Sequence, residues 1–247
     1  MTYCVGLLLA EGLVMLSDTR TNAGVDNIST FRKLHLFENP GERTICLMTA
    51  GNLAVTQAVV TLLTEGFESE TGGGHESLYN VPSMFRAAQL TGEAVRKVWH
   101  VDGEALRQQS IGFEVSILLG GQIKGRKLRL FSVYSAGNFI EATEDTPFLQ
   151  IGEHKYGKPI LDRAARYDTG LADGVKLALI SMDSTLRSNL SVGLPMDLLV
   201  YRRDAPAAEI RRRIGEDDPY FRMIRTQWST ALREAYRAIP LPDWAPA

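Results

Sequence analysis

The chain starts a core β-strand almost at its first residue. Residues 2–10 are apolar and rich in strand-forming side chains, Glu11-Gly12 supplies a tight turn, and residues 13–18 run back as a second strand. Because the first residues of most domains are loosely held, a terminus that enters a buried hairpin directly is unusual. The pattern predicts that residue 2 has a fixed place in the fold.

The remaining segments predict a layered α+β fold. Antiparallel strands are expected at 34–37, 44–49, 113–120, 128–134, 148–151 and 196–201, and amphipathic helices at 53–66, 82–100, 156–167 and 172–187. Strand runs that alternate with helix pairs favour this class over a parallel βαβ sheet. Two facing sheets with helices on both outer sides, a four-layer αββα sandwich, would cover every apolar face. The last of these strands, 196–201, is expected to close the core.

The C-terminal segment is predicted to be a helical addition to this domain. We divide the chain into a domain at 1–205 and an extension at 206–247, whose helix spans 218–239 and stops at Pro240. One face of that helix carries the stripe Phe221, Ile224, Trp228, Leu232, Ala235 and Ile239. The stripe must cover either its own subunit's core or a neighbour, and the flanking charged residues favour a subunit contact slightly.

Charge argues against a nucleic-acid partner. The formal net charge of −2 gives no global basic field. Arg211, Arg212 and Arg213 cluster in the C-terminal third, but acidic residues such as Glu209 and Asp217 are interleaved with them. We interpret this stretch as a solvated helix face or a subunit contact.

The cysteines and the apolar runs predict a cytoplasmic protein with no membrane partner. Cys4 and Cys46 lie in apolar runs without metal-ligand spacing. We expect both to be buried thiols that pack like small apolar side chains. No disulfide framework is indicated, so a reducing compartment fits. No Lys or Arg precedes the first apolar run, unlike a secretory signal, and no stretch approaches the ~20 apolar residues of a membrane span.

Thr2 is the residue with the clearest potential role in catalysis. A small residue after Met1 permits aminopeptidase removal of that Met1, which leaves a free α-amine beside the Thr2 hydroxyl. Nucleophile and general base then belong to one residue. The pKa of an α-amino group, ~7.7–8.0, is already near neutral, and an adjacent ammonium lowers it further.

Three more residues would support this nucleophile. Asp18 ends the hairpin and Lys33 precedes the next strand, so an ion pair between them would hold the ammonium in place. Backbone N–H groups at Ala50-Gly51, where a strand turns into a helix, would stabilise an oxyanion. Each residue alone also has an ordinary explanation: Asp18 as a strand end, Lys33 as a surface charge and Thr2 as a common second residue.

Other chemistries have no comparable pattern. The four histidines are scattered without metal-ligand spacing, and no Gly-x-Ser-x-Gly or HExxH motif is present. The glycine triplet at 72–74 lacks the Gly-Lys-Ser/Thr ending of a phosphate loop, which favours a flexible loop over a nucleotide site. We therefore expect neither an organic cofactor nor a catalytic metal.

The joint pattern resembles a known family. Thr2 before an apolar strand, Leu16-Ser17-Asp18-Thr19-Arg20, Phe31-Arg32-Lys33-Leu34 and Thr49-Ala50-Gly51 are similar to the proteasome β-subunit family, most of all to its bacterial ancestral β-subunit branch, Anbu. The resemblance covers nearly the whole chain and is strong over residues 2–52. It implies the αββα sandwich and a homo-oligomeric ring or helical assembly. For the site it implies Thr2 as nucleophile, Asp18 as orienting carboxylate, Lys33 as the ammonium that tunes the amine, and the Gly51 amide in the oxyanion hole.

Two later motifs depart from the family pattern. Where the family has a Gly-Ser-Gly turn near the nucleophile, this chain has Gly152-Glu153-His154, so Glu153 replaces the Ser. In the family's Asp-x-x-Ser-Gly pattern, Ser191 is kept while Ser188 occupies the Asp position. We include Glu153, Ser188 and Ser191 in the candidate site.

We therefore predict an N-terminal threonine peptidase or amidase that cleaves peptides or proteins inside a homo-oligomer, with an unidentified unfoldase as a possible partner. Two alternatives remain open. One is a proteasome-shaped assembly protein with little turnover, favoured by Glu153 and Ser188. The other is an amidase of the same nucleophile class that acts on a small molecule.

Overall fold

A computed structural model describes residues 1–22, 28–70 and 74–244, so two of the three glycines of the 72–74 triplet lie outside the described residues. The described residues form fourteen strands and five helices. The strands are β1 (Tyr3–Leu9), β2 (Gly12–Asp18), β3 (Arg20–Asn22), β4 (Ile28–Thr30), β5 (Leu34–Asn39), β6 (Arg43–Gly51), β7 (Phe67–Glu68), β8 (His75–Glu76), β9 (Val115–Ile123), β10 (Arg129–Val133), β11 (Phe139–Glu141), β12 (Phe148–Gly152), β13 (Met196–Arg202) and β14 (Ile210–Ile214). The helices are α1 (Leu53–Glu65), α2 (Met84–Gln108), α3 (His154–Ala164), α4 (Leu171–Ser188) and α5 (Pro219–Ala238).

Two five-stranded antiparallel sheets form the centre of the fold. The first has the order β12-β1-β2-β13-β14, and the second has the order β11-β10-β9-β6-β5. In the first sheet Cys4 lies opposite Ser17 and Leu7 opposite Val14, which is the predicted N-terminal hairpin. Because β1 pairs with β12 on one side and β2 on the other, the N-terminal strand is central in its sheet.

Three apolar layers follow from these sheets. Helices α1 and α2 cover the second sheet, with Val59, Leu63 and Ala88 buried between them. Helices α3, α4 and the start of α5 cover the first sheet, while residues such as Met15 and Leu118 fill the space between the sheets. Burying one such large apolar side chain stabilises the fold by roughly 1.5–3 kcal/mol. The predicted αββα sandwich is confirmed.

Local signals in the sequence explain several element boundaries. Asn52 caps α1 as predicted, since its Oδ1 accepts hydrogen bonds from the N–H groups of Ala54 (3.0 Å) and Val55 (3.4 Å). Helix α2 begins after Ser83, whose hydroxyl accepts from the Arg86 N–H at 3.1 Å. It continues to Gln108, beyond the predicted end near residue 100, because Val98 and Gly103 still bury one face of the helix. Cys4 and Cys46 are buried free thiols, as expected.

The C-terminal segment contains a strand that was not predicted. The strand β13 does not close the first sheet, because β14 pairs with it from Met196 opposite Ile214 to Val200 opposite Ile210. Arg211, Arg212 and Arg213 therefore belong to an edge strand, and the helix-face interpretation is wrong. None of the helices in the described residues is both long enough and apolar enough to cross a membrane.

Candidate active site

Strand β1 fixes the position of Thr2. Every residue of β1 is buried, and Thr2 itself is 8% exposed. The Thr2 carbonyl accepts a hydrogen bond from the Glu153 N–H at 2.7 Å, just beyond the end of β12. The next residue, Tyr3, donates its N–H to Asp18 Oδ1 at 3.1 Å. Thr2 is therefore held by its own carbonyl, which binds the Glu153 amide, and by its neighbour Tyr3, which binds the Asp18 side chain.

Asp18 and Lys33 form the predicted ion pair. Lys33 Nζ lies 2.7 Å from Asp18 Oδ1, and the two residues are 4% and 0% exposed. Burial raises the pKa of the Asp18 carboxyl, while the Lys33 ammonium and two backbone N–H donors oppose that rise. Removing either partner would leave the other charge buried without compensation, which is strongly destabilising.

The ion pair has two further backbone contacts that the sequence did not indicate. Gly193 donates its N–H to Asp18 Oδ2 at 3.2 Å, and Lys33 Nζ donates to the Arg20 carbonyl at 2.6 Å. Asp18 thus receives three donors: the ammonium of Lys33 and the amides of Tyr3 and Gly193. These contacts use backbone groups, and residue types do not show where such groups form hydrogen bonds. For Arg20 the available signal was its position two residues after Asp18.

The segment that contains Gly193 is anchored against the start of the β3–β4 hairpin. Arg20 Nη1 donates to the Leu190 carbonyl at 3.0 Å, and Asn22 Nδ2 donates to the Ser191 carbonyl at 3.3 Å. Ser191 lies in this segment, and its own N–H donates to Asn189 Oδ1 at 2.9 Å. The segment therefore holds the Gly193 amide against Asp18, and the structure brings Ser191 to the edge of the site.

Gly51 lies at the predicted strand-to-helix turn. Its φ is +115°, and a Cβ at this position would lie 2.1 Å from the Glu114 carbonyl oxygen, so only glycine fits. The backbone of Gly51 is exposed, directly before the helix that Asn52 caps. A backbone amide directly before a helix is suited to stabilising a developing negative charge.

Glu153 reaches the site, whereas Ser188 does not contact it. Besides its amide contact with Thr2, Glu153 has a carboxylate that is 13% exposed and makes no cap for α3; its ion partner, Lys155, is 3.8 Å away. Ser188 is the exposed last residue of α4, and its hydroxyl has no hydrogen-bond partner among the described residues. Among all the residues that the structure describes, no group of three or more His, Cys, Asp or Glu side chains is arranged to hold a metal.

Comparison with solved structures relates the chain to one group of bacterial proteins. An Anbu (Gly-1) mutant from Hyphomicrobium sp. strain MC1 is 53% identical, with a TM-score of 0.90 over 98% of this chain and 100% of that chain. The Anbu ancestral β-subunit from Yersinia bercovieri is also 53% identical, with a TM-score of 0.89 over 99% and 100%. The Anbu complex from Pseudomonas aeruginosa, solved as a helical assembly, is 49% identical, with a TM-score of 0.90 over 99% and 100%.

A scan against protein-family models and a search of curated proteins give no match. The solved structures are decisive, because identities near one half extend over essentially the full length of both chains. With an αββα sandwich and a buried Asp18–Lys33 pair beside an N-terminal strand, this chain belongs to the Anbu family, the ancestral β-subunits of the proteasome family.

Proposed function

We propose that this protein is an N-terminal threonine hydrolase that cleaves amide or peptide bonds with Thr2 after Met1 has been removed. The observation that carries the proposal is the buried contact between Lys33 Nζ and Asp18 Oδ1, with Tyr3, the neighbour of Thr2, bound to the same carboxylate. A buried ammonium next to an N-terminal amine favours the neutral amine, which is the form that acts as a base.

The proposed reaction needs only groups of the chain and water. The Thr2 amine takes the proton from its own hydroxyl while Oγ1 attacks the substrate carbonyl carbon. The Gly51 amide stabilises the oxyanion, the C–N bond breaks, and the leaving nitrogen takes the proton. This leaves an ester on Thr2, which water hydrolyses to release the acid and restore the hydroxyl. Met1 is 61% exposed and is the residue that an aminopeptidase would have to remove.

The assembly that we propose for this chain is based on a relative. The Pseudomonas protein forms a helical assembly, and we propose that this chain also forms a homo-oligomer with Thr2 facing a chamber. A peptide or protein is the proposed substrate. The cytoplasmic location and an unfoldase partner stay predictions.

Labelling by a threonine-directed epoxyketone tests the proposal. Protein purified from its native host is first measured by intact-mass spectrometry, which shows whether Met1 is absent. We expect one adduct per subunit, on Thr2, and none in a Thr2→Ala variant, while Thr64→Ala, on the exposed side of α1, is labelled like the wild type. A processed N-terminus that takes no label would contradict the proposal.

One observation favours a second candidate, a proteasome-shaped protein with little turnover. Ser188, in the position where the family pattern has an Asp, is exposed and has no hydrogen-bond partner among the described residues. Labelling combined with turnover separates the candidates, since a protein of this second kind would hydrolyse neither peptides nor small amides. Comparing a peptide library with small amides would then separate a peptidase from an amidase.

A further inference from the structure

A cleft opens on the side of the sandwich where both sheets end. Its volume is about 440 Å³, and it lies between two edge strands, β5 of the second sheet and β14 of the first. Leu34, Leu198 and Leu199 contribute apolar surface to its lining. The strand β14, which belongs to the C-terminal addition, forms one wall of the cleft.

The cleft is lined by an excess of positive charge. Its lining includes four guanidinium groups and one imidazole but a single carboxylate, and these residues are Arg32, His35, Asp197, Arg211, Arg212 and Arg213. In the sheet register Arg211 lies opposite Leu199, which belongs to the layer between the sheets, and Arg213 lies opposite Asp197. Arg211 and Arg213 therefore share the face of β14 that borders the cleft.

Only part of this charge is neutralised. Arg213 binds Asp197 through two hydrogen bonds of 2.8 and 2.9 Å. Arg212 is paired with Asp218 at 2.6 Å, whereas Arg211 is 3.9 Å from the Glu38 carboxylate. Arg32, at the exposed rim, makes no ion pair or hydrogen bond with the described residues. Arg32 is therefore unpaired among the described residues, and Arg211 has only a long, exposed ion pair that a closer anion can replace.

His35 is the third available polar group. It is partly buried on β5, and its ring has no hydrogen-bond partner in the described part of the chain. Burial, assisted by the positive charge of Arg32, lowers the pKa of His35, while the Asp197 carboxylate opposes this effect. A neutral imidazole can donate one hydrogen bond to an anion and reports a nearby charge through its titration.

We propose that this arginine cleft is a binding site for a carboxylate group, held by Arg32 and Arg211 with His35 beside it. The two-bond contact between Arg213 and Asp197 shows that the lining already accommodates the planar guanidinium–carboxylate geometry. The carboxylate comes either from a small organic acid or from an Asp or Glu of a second copy of the chain. The proposal does not depend on hydrolysis by Thr2.

Histidine NMR with succinate as the probe tests the site in the full-length protein. The chain has only four histidines, so the His35 ring signal is assigned by its loss in a His35→Gln variant. We expect succinate to shift this signal saturably and to leave the other three in place. Arg32→Gln and Arg211→Gln should each weaken binding at least about tenfold, the change that corresponds to about 1.4 kcal/mol. The matched control is Arg166→Gln, a guanidinium outside the cleft whose ion partner is the exposed Asp168.

Sedimentation of the same proteins identifies the source of the carboxylate. Saturable binding of succinate without a change in particle size assigns the site to a small organic acid. If succinate does not bind and the Arg32→Gln, Arg211→Gln double variant forms smaller particles than Arg166→Gln, the carboxylate belongs to a second copy. Absence of succinate binding together with unchanged particle size would overturn the proposal.

Discussion

The contact between Gly152 and Thr2 shows how a residue without a side chain places the proposed nucleophile. Gly152 has φ = +79°, and a Cβ there would lie 1.9 Å from the Thr2 carbonyl oxygen. The following residue, Glu153, donates its N–H to that same oxygen at 2.7 Å. Any larger residue at position 152 must therefore displace Thr2 or break this hydrogen bond.

We predict that Gly152→Ala destabilises the fold and also lowers the labelling of Thr2. Gly41 provides the control, because its φ is +78° while a Cβ there meets nothing within 4 Å. Gly41→Ala should lower the free energy of unfolding by about 1–2 kcal/mol, the cost of the left-handed backbone alone. Gly152→Ala should cost about 1–3 kcal/mol more, from the added steric clash. If urea unfolding shows that Gly152→Ala and Gly41→Ala lose the same free energy of unfolding, the close approach of Gly152 to Thr2 has no effect on stability.

We predict that Lys33→Arg abolishes the labelling of Thr2 while the chain stays folded. Lys33 Nζ donates both to Asp18 at 2.7 Å and to the Arg20 carbonyl at 2.6 Å, in a site where the Lys33 side chain is 5% exposed. A planar guanidinium keeps the charge but does not fit a space shaped for a compact ammonium. Epoxyketone labelling and melting temperature measure the two effects. Lys158→Arg, at an exposed pair with Asp162, should behave like the wild type, and unchanged labelling of Lys33→Arg would remove Lys33 from the mechanism.

How far the sequence predicts this site depends on which atoms form it. Asp18 and Lys33 were predictable because their side chains carry opposite charges at the ends of recognisable strands. The Gly193 amide and the Arg20 carbonyl were not, because every residue has such groups and only the folded chain aims them at Asp18 and Lys33. Ser188 had only a motif position in its favour, and it lies exposed at the end of α4.

At the scale of elements, the N-terminus of α5 depends on a single carboxylate. Asp218 accepts a hydrogen bond from the Phe221 N–H at 2.9 Å and is paired with Arg212 of β14 at 2.6 Å. The Phe221 hydrogen bond lowers the pKa of Asp218, and the Arg212 guanidinium lowers it further. Since folding favours the charged carboxylate, its contribution to stability is complete above the unfolded pKa of ~3.9 and disappears as the pH falls through the lower folded value.

We predict that Asp218→Ala lowers the free energy of unfolding by about 1 kcal/mol at neutral pH, the usual cost of losing such a cap. The difference from the wild type should begin to shrink below about pH 4, where the carboxylate of the unfolded chain becomes protonated, and should disappear as the pH falls through the lower pKa of the folded state. Asp218→Asn should recover only part of the loss, because Asn also caps helices but does not form the ion pair with Arg212. The control Asp217→Ala removes a neighbouring exposed carboxylate and should change stability by less than about 0.5 kcal/mol. A loss for Asp218→Ala that is the same at pH 3 and pH 7 would contradict this role for the charge.

The elements that the sequence predicted are those whose apolar pattern is strong. The strands β1 and β2 are buried throughout, and α1 shows helical spacing together with an Asn cap. These strands and this helix could therefore be predicted from the sequence. The strand β14 is arginine-rich, with four of its five residues exposed, and its pairing with β13 depends on tertiary contacts that a local pattern does not contain. The β3–β4 hairpin and β11 have three residues per strand, too few to show a period.

At the scale of the whole molecule, the structure divides the apolar stripe of α5 into two halves. Phe221 and Ile224 are 1% and 5% exposed and pack on the first sheet and α4, so the expected subunit contact is wrong for these two residues. Beyond the partly buried Trp228 the stripe loses its cover. Leu232 and Ile239 are 50% and 69% exposed. The outer half of α5 is therefore the part that a neighbouring subunit would cover.

We predict that the outer half of α5 contributes to assembly. Ending the chain after residue 208 would not test this, because it also removes β14 and unpairs the edge of β13. Ending it after residue 230 instead keeps β14 and the buried part of the helix, and sedimentation should then detect smaller particles with the remaining secondary structure preserved.

Leu232→Ser combined with Tyr236→Ser should have the same effect without shortening the chain, since these residues lie one helical turn apart and are 50% and 75% exposed. Val101→Ser, at a 76% exposed position of α2, is the control and should leave particle size unchanged. If the chain ended after residue 230 and the Leu232→Ser, Tyr236→Ser variant both sediment like the wild type, the outer half of α5 is not a subunit contact. Insoluble protein after the cut at 230 alone would instead show that this half protects its own subunit, because apolar surface that covers a core causes aggregation when the cover is removed.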